Sequence, residues 1–476
     1  MSALRLDGVT LMLDGEIFEN EDKNACFKLH SFVEEKESVN MDRPWERYCS
    51  YGSMIRFKDK YYMYYVASDT GKDKDRYICM LQSDDALNWT HPVLNKREFN
   101  GDTVNNILLN FTDIKEFSDG WDNFYVYVDE NPSCPPDAAI KALTSEYRCN
   151  ERGEMIMSEN CLTCYVSADG VHFRRYAPVL KGGAFDSLNS LIYSRKFGEY
   201  FCYYRGFHAG KENPNTRDVR VIHSKDLLHW NEPVILDYSD NYDYQVYTNG
   251  LLVYPRSRDF IALPTRYNHN DVWTENYNDL CGREKREKRC KVEPRAGLAL
   301  TDCFFAYSRD GVKWKRYNQA IYAPGPEYEG NWLYGDGYPW SGFAYVNDGR
   351  KEKDDTLCFW FPKNHDNPGE QAYSRYTMRI DGFVSLNAKF DGAQMKTKKV
   401  IFSGENMEIN FATSAFGRIR VTISDDDGNL IESEELFGDR VDRPVRFKGD
   451  LSRFSGKEVQ ITFIMKDCDI YSFQFK

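Results

Sequence analysis

The sequence predicts an all-β protein, a five-bladed β-propeller followed by a C-terminal β-sandwich. Three observations support this fold class. The chain of 476 residues contains 33 Tyr, 30 Phe and 9 Trp, and aromatic rings pack well on pleated strands. A short turn motif recurs four times, and strand-like runs with period-2 alternation recur five times. Radially repeated antiparallel sheets of this kind form a propeller around a central pocket.

The turn motif has the form Ser-x-Asp-x-x-x-aromatic. In each copy the Ser ends a strand, the Asp side chain can cap the backbone of a tight turn, and the ring begins the next strand. Gly follows the Asp in two copies, where a positive φ favours it. The copies begin 84, 57 and 84 residues apart, at SDDALNW (83–89), SADGVHF (167–173), SKDLLHW (224–230) and SRDGVKW (308–314). Four copies at such intervals indicate structural repeats.

The strand-like runs divide the chain into units. Each run joins a segment of small residues, a charged turn and an aromatic strand, as in YGSMIRFKDKYYMYYVAS (51–68). The five predicted units are 43–98, 99–181, 182–237, 238–324 and 325–385. Shorter alternating strands after residue 386 predict a β-sandwich over 386–476, and residues 1–42 are expected to form an N-terminal strap.

Charge and hydropathy exclude several classes of protein. With 62 Lys+Arg against 74 Asp+Glu, the chain has no basic excess for nucleic acid. No run of 18 apolar residues predicts a membrane span, and the N-terminal segment does not look like a secretion signal. Thirteen scattered cysteines are typical of free thiols in a reducing compartment. We therefore expect a cytoplasmic protein.

Two local features have more than one interpretation. Cys161 and Cys164 form a single CxxC in a strand-like run, where residues three apart point to opposite faces, so buried structural cysteines are favoured over a metal or redox site. The highly charged segment GREKREKRCKVEPR (282–295) is expected to be a solvated insertion in the fourth unit. A basic binding patch is the alternative for this segment.

The turns, the five aromatic meanders and the trailing sandwich resemble the five-bladed propeller glycoside hydrolases, especially glycoside hydrolase families 32 and 43. From about residue 43 to the end, the sequence is most similar to a group of uncharacterised bacterial glycoside-hydrolase-like proteins. The segments that carry this similarity are NPSCPPDAAIKAL (131–143), GGAFDSLN (182–189), YTNG (247–250), PTRY (264–267), RYTMRIDGFVSL (375–386) and DIYSFQF (469–475). The resemblance implies a carbohydrate substrate.

The sequence also departs from these families. The Trp-Met-Asn-Asp-Pro, Arg-Asp-Pro and Glu-Cys segments typical of family 32 are missing, and the turn motif differs in spacing from the sialidase Asp-box. Catalytic roles are therefore assigned by position alone.

Glycosidic bond hydrolysis generally uses two carboxylic acids. The resemblance implies a pocket where the innermost strands begin, so acids just ahead of those strands are the candidates. In order of preference they are Asp186, Asp243, Asp336 and Glu46. The second unit has Asp122 at the corresponding place, whereas Asp129 falls at the far end of its strand. The alternative role for each of these acids is to cap a turn, and the sequence does not separate acid from base.

Sugar hydroxyls are bound by planar polar groups, and the apolar faces of sugars are covered by aromatic rings. His208 and His365 follow the ends of strands and could also donate to a substrate. The alternatives are salt bridges for the arginines, core packing for the rings and surface positions for the histidines. The predicted substrate-binding residues are Asn189, Arg205, Arg266, Tyr247, Asn249, Tyr334, Trp340 and Arg375.

The leading functional hypothesis is a glycoside hydrolase that acts on a small oligosaccharide or glycoside, with a furanosidase as the narrower expectation from the resemblance. One alternative is an intracellular glycoside phosphorylase, in which Arg205, Arg266 and Arg375 would hold phosphate. Others are a sialidase-like enzyme and a non-catalytic carbohydrate-binding propeller. No cofactor, catalytic metal, nucleic acid or membrane partner is expected. A structural Ca²⁺ ion or water at the propeller axis and a homo-oligomer are left open.

Overall fold

The computed structural model describes residues 3–71, 75–110, 113–116, 118–211, 214–346, 356–365 and 367–476. Strands dominate this part of the chain, and the predicted five-bladed β-propeller is confirmed. Each blade is an antiparallel sheet, and in the first three sheets each strand pairs with the next one along the chain. The innermost strands of neighbouring blades contact each other, as Tyr48–Phe57 and Gly120–Val128 do.

The five sheets follow the order of the predicted units. Four have four strands each, and the fourth sheet has six. Their strands are Tyr48–Phe57, Lys60–Ser68, Arg76–Ser83 and Ile107–Asn110; Gly120–Val128, Ile140–Tyr147, Cys161–Ser167 and Arg174–Lys181; Ser190–Ser194, Glu199–His208, Thr216–Ser224 and Val234–Ile235; Gln245–Thr248, Leu251–Leu252, Phe260–Ala262, Thr265–His269, Ala299–Ser308 and Trp314–Tyr322; and Ala344–Val346, Thr356–Lys363, Ala372–Arg379 and Val33–Asn40.

The fifth sheet closes the ring with a strand from the start of the chain. Val33–Asn40 pairs antiparallel with Ala372–Arg379, and Asn40 lies opposite Ala372. The segment predicted as a strap, residues 1–42, is thus shared between two sheets, because its earlier strands join the C-terminal sheet. The backbone hydrogen bonds of the fifth sheet hold the two ends of the propeller together.

The four repeated turns have the same geometry. In the first copy, Oδ1 of Asp85 accepts hydrogen bonds from the backbone N–H groups of Leu87 and Asn88, each at 2.8 Å. The equivalent pair of bonds forms at Asp169, Asp226 and Asp310. The residue after each Asp has a positive φ, including the non-glycine residues Ala86 at 60° and Leu227 at 64°. The capping role predicted for the motif is therefore confirmed.

The C-terminal strands and the first strands of the chain form one ten-stranded sheet. Phe463 and Phe473 lie ten residues apart in one strand, an extended distance of about 33 Å, yet their ring centres are 5.4 Å apart. The strand Glu458–Phe475 therefore bends so that both of its halves contribute to one core, and the two-layer β-sandwich over 386–476 stays a prediction. The strands of the ten-stranded sheet are Leu4–Leu6, Thr10–Leu11, Ala25–Leu29, Val384–Ala388, Ala393–Lys396, Val400–Phe402, Met407–Asp425, Leu430–Glu432, Asp439–Pro444 and Glu458–Phe475.

The propeller and the C-terminal sheet are joined at the buried carboxylate of Asp381. The guanidinium of Arg256 donates to both carboxylate oxygens, at 2.8 and 2.7 Å, and the Tyr254 hydroxyl donates at 2.5 Å. From the C-terminal sheet, the Ser472 hydroxyl donates at 2.6 Å and the Asn410 amide at 3.4 Å. A buried charge is tolerated here because each oxygen has several donors.

The charged segment in the fourth unit is an insertion with most of its residues exposed, as predicted, and it is helical. The α-helices Asn276–Asp279, Arg283–Val292 and Pro294–Leu298 lie between two strands of the fourth sheet. Arg286 is fully buried, and its guanidinium donates to the carbonyls of Cys281, Gly297 and Trp332. These bonds hold the insertion against the loop that leads into the fifth blade. Short 3₁₀ helices lie at Gly15–Ile17, Pro44–Glu46, Pro136–Ala138, Met157–Glu159 and Leu451–Phe454.

Two further sequence expectations concern helices and cysteines. Within the described ranges, every helix is too short or too polar to cross a bilayer. All thirteen cysteines lie in these ranges as free thiols, and Cys161 and Cys164 are both buried, as predicted for structural residues.

Candidate functional site

A cavity of about 520 Å³ lies on the face of the propeller where the inner strands of the third, fourth and fifth blades begin. Its volume is in the range of sites that hold small molecules. Aromatic, basic and acidic side chains line it together with two methionines from the second blade. The lining residues are Met155, Met157, Ala184, Asp186, Arg205, Phe207, Arg217, Tyr247, Tyr267, Arg289, Glu293, Arg295, Ala296 and Tyr334.

Asp186 is the predicted acid that reaches this cavity. Its side chain is 44% exposed and pairs with the guanidinium of Arg205, which is only 4% exposed. Burial alone would lower the pKa of Arg205, but the Asp186 carboxylate, together with smaller contributions from Tyr247, Tyr51 and Tyr334, holds that pKa above its usual value. Arg205 thus stays charged, and it fixes one oxygen of Asp186 at the cavity wall.

Asn189, predicted to bind a sugar hydroxyl, instead organises the loop that carries Asp186. Its Nδ2 donates to the carbonyls of Phe185 and Ser187, at 2.9 and 2.8 Å, and its Oδ1 accepts from the backbone N–H of Arg205 at 3.2 Å. The side chain is 1% exposed. Asn189 therefore makes the hydrogen bonds that hold the turn, and the Asp186 side chain does not have to make them.

Tyr51 links this loop to the first blade. Its φ of 35° falls at a bulge in the inner strand of the first blade, and its hydroxyl donates to the carbonyl of Asp186 at 3.5 Å. Burial is the main reason that the pKa of Tyr51 lies well above its usual value, and the charges of Asp122 and Asp186 add to the rise. The phenol stays protonated within electrostatic reach of both carboxylates. Asp122 itself pairs with Arg76 at 3.1 Å.

Tyrosines form one wall of the cavity. Tyr247 and Tyr334, both predicted as sugar platforms, line it, and the Tyr334 hydroxyl donates to that of Tyr247 at 3.0 Å. Tyr267 lies beside them, with its ring centre 5.8 Å from that of Tyr247. Rings in a concave site can cover the apolar face of a sugar.

Arginines give the cavity its charge. Arg217 packs its guanidinium carbon 4.5 Å from the ring centre of Tyr267, and Arg205 lies 5.0 Å from that of Tyr247. Arg289 and Arg295 come from the helical insertion, where Arg295 pairs with Glu293. The basic patch that the sequence offered as an alternative for residues 282–295 thus lies at the cavity.

The structure places the other three predicted acids elsewhere, since none of them lines this cavity. Asp243 accepts from His208 Nε2 at 2.9 Å and from the backbone N–H of Lys211 at 2.7 Å. The Lys211 bond is the main reason that the pKa of Asp243 is lowered. This bond holds the loop that follows the strand Glu199–His208 against Asp243.

Glu46 and Asp336 are both buried. Glu46 accepts from the backbone N–H of Arg43 at 3.0 Å, and His91 lies 3.1 Å away. Asp336 accepts from the backbone N–H of Leu333 at 3.0 Å and lines a separate cavity of about 270 Å³.

Four predicted binding residues also lie outside the cavity lining. Trp340 is 1% exposed and stacks on Tyr65 at 5.7 Å, so it packs in the core. Arg266 pairs with Asp302 at 2.5 Å. Arg375 lies in the strand Ala372–Arg379 of the fifth sheet. Asn249 is 3% exposed, and its amide atoms have no hydrogen-bond partner among the described residues.

The two predicted histidines do not line the cavity either. His208 bridges Asp218 and Asp243, at 3.1 and 2.9 Å. The carbonyl of His365 accepts from the side-chain amide of Gln371, in the connection between the strands Thr356–Lys363 and Ala372–Arg379.

Sequence reasoning missed Arg217, Tyr267, Glu293 and the methionines of the second blade. Arg217 stands near the start of a strand, in TRDVR, and only its position in the third sheet turns it towards the cavity. Glu293 could have been suspected from the long charged insertion between two strands of one sheet, because such insertions carry function more often than regular turns do.

The comparisons with known proteins give remote structural similarities. No protein-family model and no curated protein matches the sequence. Similar solved structures include an N-acetylgalactosamine deacetylase from F. plautii in complex with blood group B trisaccharide, at 13% identity and a TM-score of 0.45, over 74% of this chain and 94% of that one. A glycosyl hydrolase from Bacteroides ovatus has 13% identity and a TM-score of 0.46, over 76% and 97%.

A GH32 β-fructofuranosidase from Bombyx mori is similar over 92% of this chain and 94% of its own, at 10% identity and a TM-score of 0.43. The predicted resemblance to propeller glycoside hydrolases is thus found among solved structures as well. Similarity this remote carries no activity over to the chain, so function is argued from the cavity.

Proposed function

We propose that the protein is a glycoside hydrolase that acts on a small oligosaccharide or glycoside in the 520 Å³ cavity. The observation that carries this proposal is the half-exposed carboxylate of Asp186, held by a buried arginine inside a concave site walled by tyrosines. A sugar can stack on the rings and offer its anomeric carbon to the carboxylate.

Glu293 is the second carboxylate that lines the cavity, and two carboxyl groups are what the reaction needs. The two acids differ in how they are held. Asp186 pairs with a buried guanidinium, which holds one of its oxygens at the cavity wall and suits it to the role of nucleophile or base. Glu293 and Arg295 are 49% and 42% exposed, and such pairs contribute only about 0–1 kcal/mol. When this pair opens, the Glu293 carboxylate can take up a proton from solvent and pass it to the oxygen of the leaving group.

The first test screens the purified protein against aryl glycosides and oligosaccharides, and then compares variants on the best substrate. We expect Asp186→Asn to lower kcat by roughly 10²- to 10⁴-fold on every substrate. Glu293→Gln should lose a similar factor on oligosaccharides but keep most activity on 2,4-dinitrophenyl glycosides, because that leaving group needs no proton. Asp243→Asn is the matched control, and its kcat should stay within about twofold of the wild type.

Three outcomes would overturn the proposal. If Asp186→Asn had the activity of the wild type, Asp186 could not be the catalytic carboxylate. Sugar binding without turnover would favour the carbohydrate-binding propeller, and release of a sugar 1-phosphate only when phosphate is added would favour the phosphorylase. A furanosidase remains the narrower prediction, and the ring size of the preferred aryl glycoside tests it.

A further inference from the structure

The cavity is basic although the protein is acidic. Among the residues that the structure describes, four arginines line it against two carboxylates, an excess of two positive charges in a chain whose formal net charge is −12. The arginines come from separate parts of the chain: Arg205 and Arg217 from neighbouring strands of the third sheet, and Arg289 and Arg295 from the helical insertion. A concave site lined by one sign of charge concentrates ligands of the opposite sign.

Arg217 carries the strongest part of this argument. Its guanidinium carbon lies 4.5 Å from the ring centre of Tyr267 and 5.3 Å from that of Tyr247, which fixes the plane of the group. Its hydrogen bond goes to the neutral side chain of Gln245. Among the described residues no carboxylate forms an ion pair with Arg217, and its Nε has no partner. Arg205, in contrast, is neutralised by Asp186.

Arg205 and Arg217 also lie close together. Their guanidinium carbons are 5.0 and 5.3 Å from the same Tyr247 ring, and 5.2 and 5.9 Å from the same Phe207 ring. Two cations packed around shared rings repel each other, and Asp186 balances only one of them. A bound anion would balance the other. A planar guanidinium offers two parallel donors, a geometry that matches a carboxylate.

We propose that the sugar bound in this cavity carries a carboxylate, as a uronic acid does, and that Arg217 is its main ion-pair partner. This inference rests on the proposed function of the cavity as a glycoside site. Arg289 and Arg295 contribute positive charge from the helical insertion, and the tyrosine wall contacts the sugar ring.

The test compares matched substrates that differ only at C6, such as 4-nitrophenyl glucuronide with 4-nitrophenyl glucoside and the galacto pair, in both anomers. We expect the wild type to prefer the acidic member by roughly 10- to 100-fold in kcat/KM, the range of a hydrogen-bonded charge pair. Arg217→Gln should lose that preference, so that its kcat/KM for the acidic member falls to the level of the neutral member. Arg217→Lys, which keeps the charge without the planar fork, should retain part of it.

Arg220→Gln is the control, because Arg220 lies on the same strand but pairs with Asp218 outside the cavity lining. Its preference should equal that of the wild type. Calorimetric titration of the wild type with glucuronate, galacturonate, glucose and galactose measures binding without turnover, because these monosaccharides have no glycosidic bond. Tighter binding of the acids, lost in Arg217→Gln, supports the inference even if no substrate is hydrolysed.

Two results would overturn the inference. If neutral glycosides are hydrolysed with no preference for the acidic ones, the proposed function stands, but the proposal that the substrate carries a carboxylate is wrong. Turnover that needs inorganic phosphate, with Arg217→Gln raising the KM for phosphate, would make phosphate the anion in the cavity.

Discussion

The loops that carry Asp186 and Asp336 occupy similar places ahead of inner strands, yet they use their aspartates in opposite ways. In the loop before the third blade, Asn189 makes the hydrogen bonds of the turn, and the Asp186 side chain is 44% exposed in the cavity. In the loop before the fifth blade, Asp336 itself accepts the backbone N–H of Leu333 and is buried.

The difference shows that an aspartate becomes available for chemistry when another residue satisfies its turn. Glu46 and Asp243 follow the pattern of Asp336, because backbone N–H groups of Arg43 and Lys211 take up their oxygens. A buried or turn-bound carboxylate already has donors, so a substrate gains little from it. The predictions that follow test this distinction at residues whose hydrogen bonds contribute to stability by different amounts.

The largest effect is expected at Asp381, where the fold uses both oxygens. Asp381→Asn leaves the charge of Arg256 without its partner in a buried site and should lower the free energy of unfolding by about 3–5 kcal/mol, measured by urea denaturation. The exposed pair of Lys399 and Asp426 provides the control. Asp426→Asn should change stability by less than about 0.5 kcal/mol, and equal losses in the two variants would contradict the prediction.

The same site predicts a pH dependence. Burial opposes ionisation of Asp381, but its bonds to Arg256, Ser472 and Tyr254 outweigh burial and keep its pKa below the ordinary 3.8. A carboxyl whose pKa is lower in the folded state stabilises the protein above pH 3.8, and this contribution is lost as the pH falls through the folded-state pKa. The acid-induced loss of stability should therefore be smaller in Asp381→Asn than in the wild type.

The second prediction concerns Asn189, which we expect to position Asp186. Asn189→Ala removes three hydrogen bonds and should lower stability by about 2–3 kcal/mol. The kcat for the best glycoside should fall while KM changes little. The control is Asn131→Ala, since Asn131 also organises a loop, between Ser133 and Tyr200. That variant should lose stability alone, and an equal fall in kcat in both would refute a positioning role.

The third prediction tests Asp336 as a turn residue. Asp336→Ala removes the acceptor for the Leu333 N–H and should cost about 1–2 kcal/mol of stability. Asp336→Asn keeps an acceptor oxygen and should restore most of it. Because Asp336 lies in a separate cavity, kcat should stay within about threefold in both variants. A loss of kcat as large as that of Asp186→Asn would return Asp336 to the catalytic candidates.

The smallest effect is expected in the repeated turns. Ala86 has a φ of 60° where two other copies have glycine, so Ala86→Gly should stabilise the protein by about 0.5–1 kcal/mol in thermal unfolding. The reverse change, Gly170→Ala, should destabilise it, because the new Cβ would lie 2.5 Å from the Tyr64 hydroxyl. If both changes destabilise the protein, the packing of the Ala86 methyl group contributes more to stability than the strained backbone at Ala86 takes away.

Much of the propeller could be predicted from the sequence, because its elements are local. Each Ser-x-Asp turn closes on its own backbone within a few residues, and each meander alternates along its own strand, so both leave a readable pattern. The closing strand Val33–Asn40 was not predicted, since its partner Ala372–Arg379 lies more than three hundred residues away. The sequence indicated the insertion but not its helices or its anchor, because Arg286 looks like any charged residue until its burial is seen.

The sequence by itself determined the fold class, the repeated turns and a set of four acids, of which Asp186 lines the cavity. Only the tertiary structure showed which acids accept hydrogen bonds from nearby backbone N–H groups and which arginines line the same cavity. Arg205, Arg217, Arg289 and Arg295 become neighbours only when the third blade and the insertion of the fourth come together. The physical reason is that turns depend on bonds between near neighbours in the chain, whereas the charge of a cavity sums groups from distant segments.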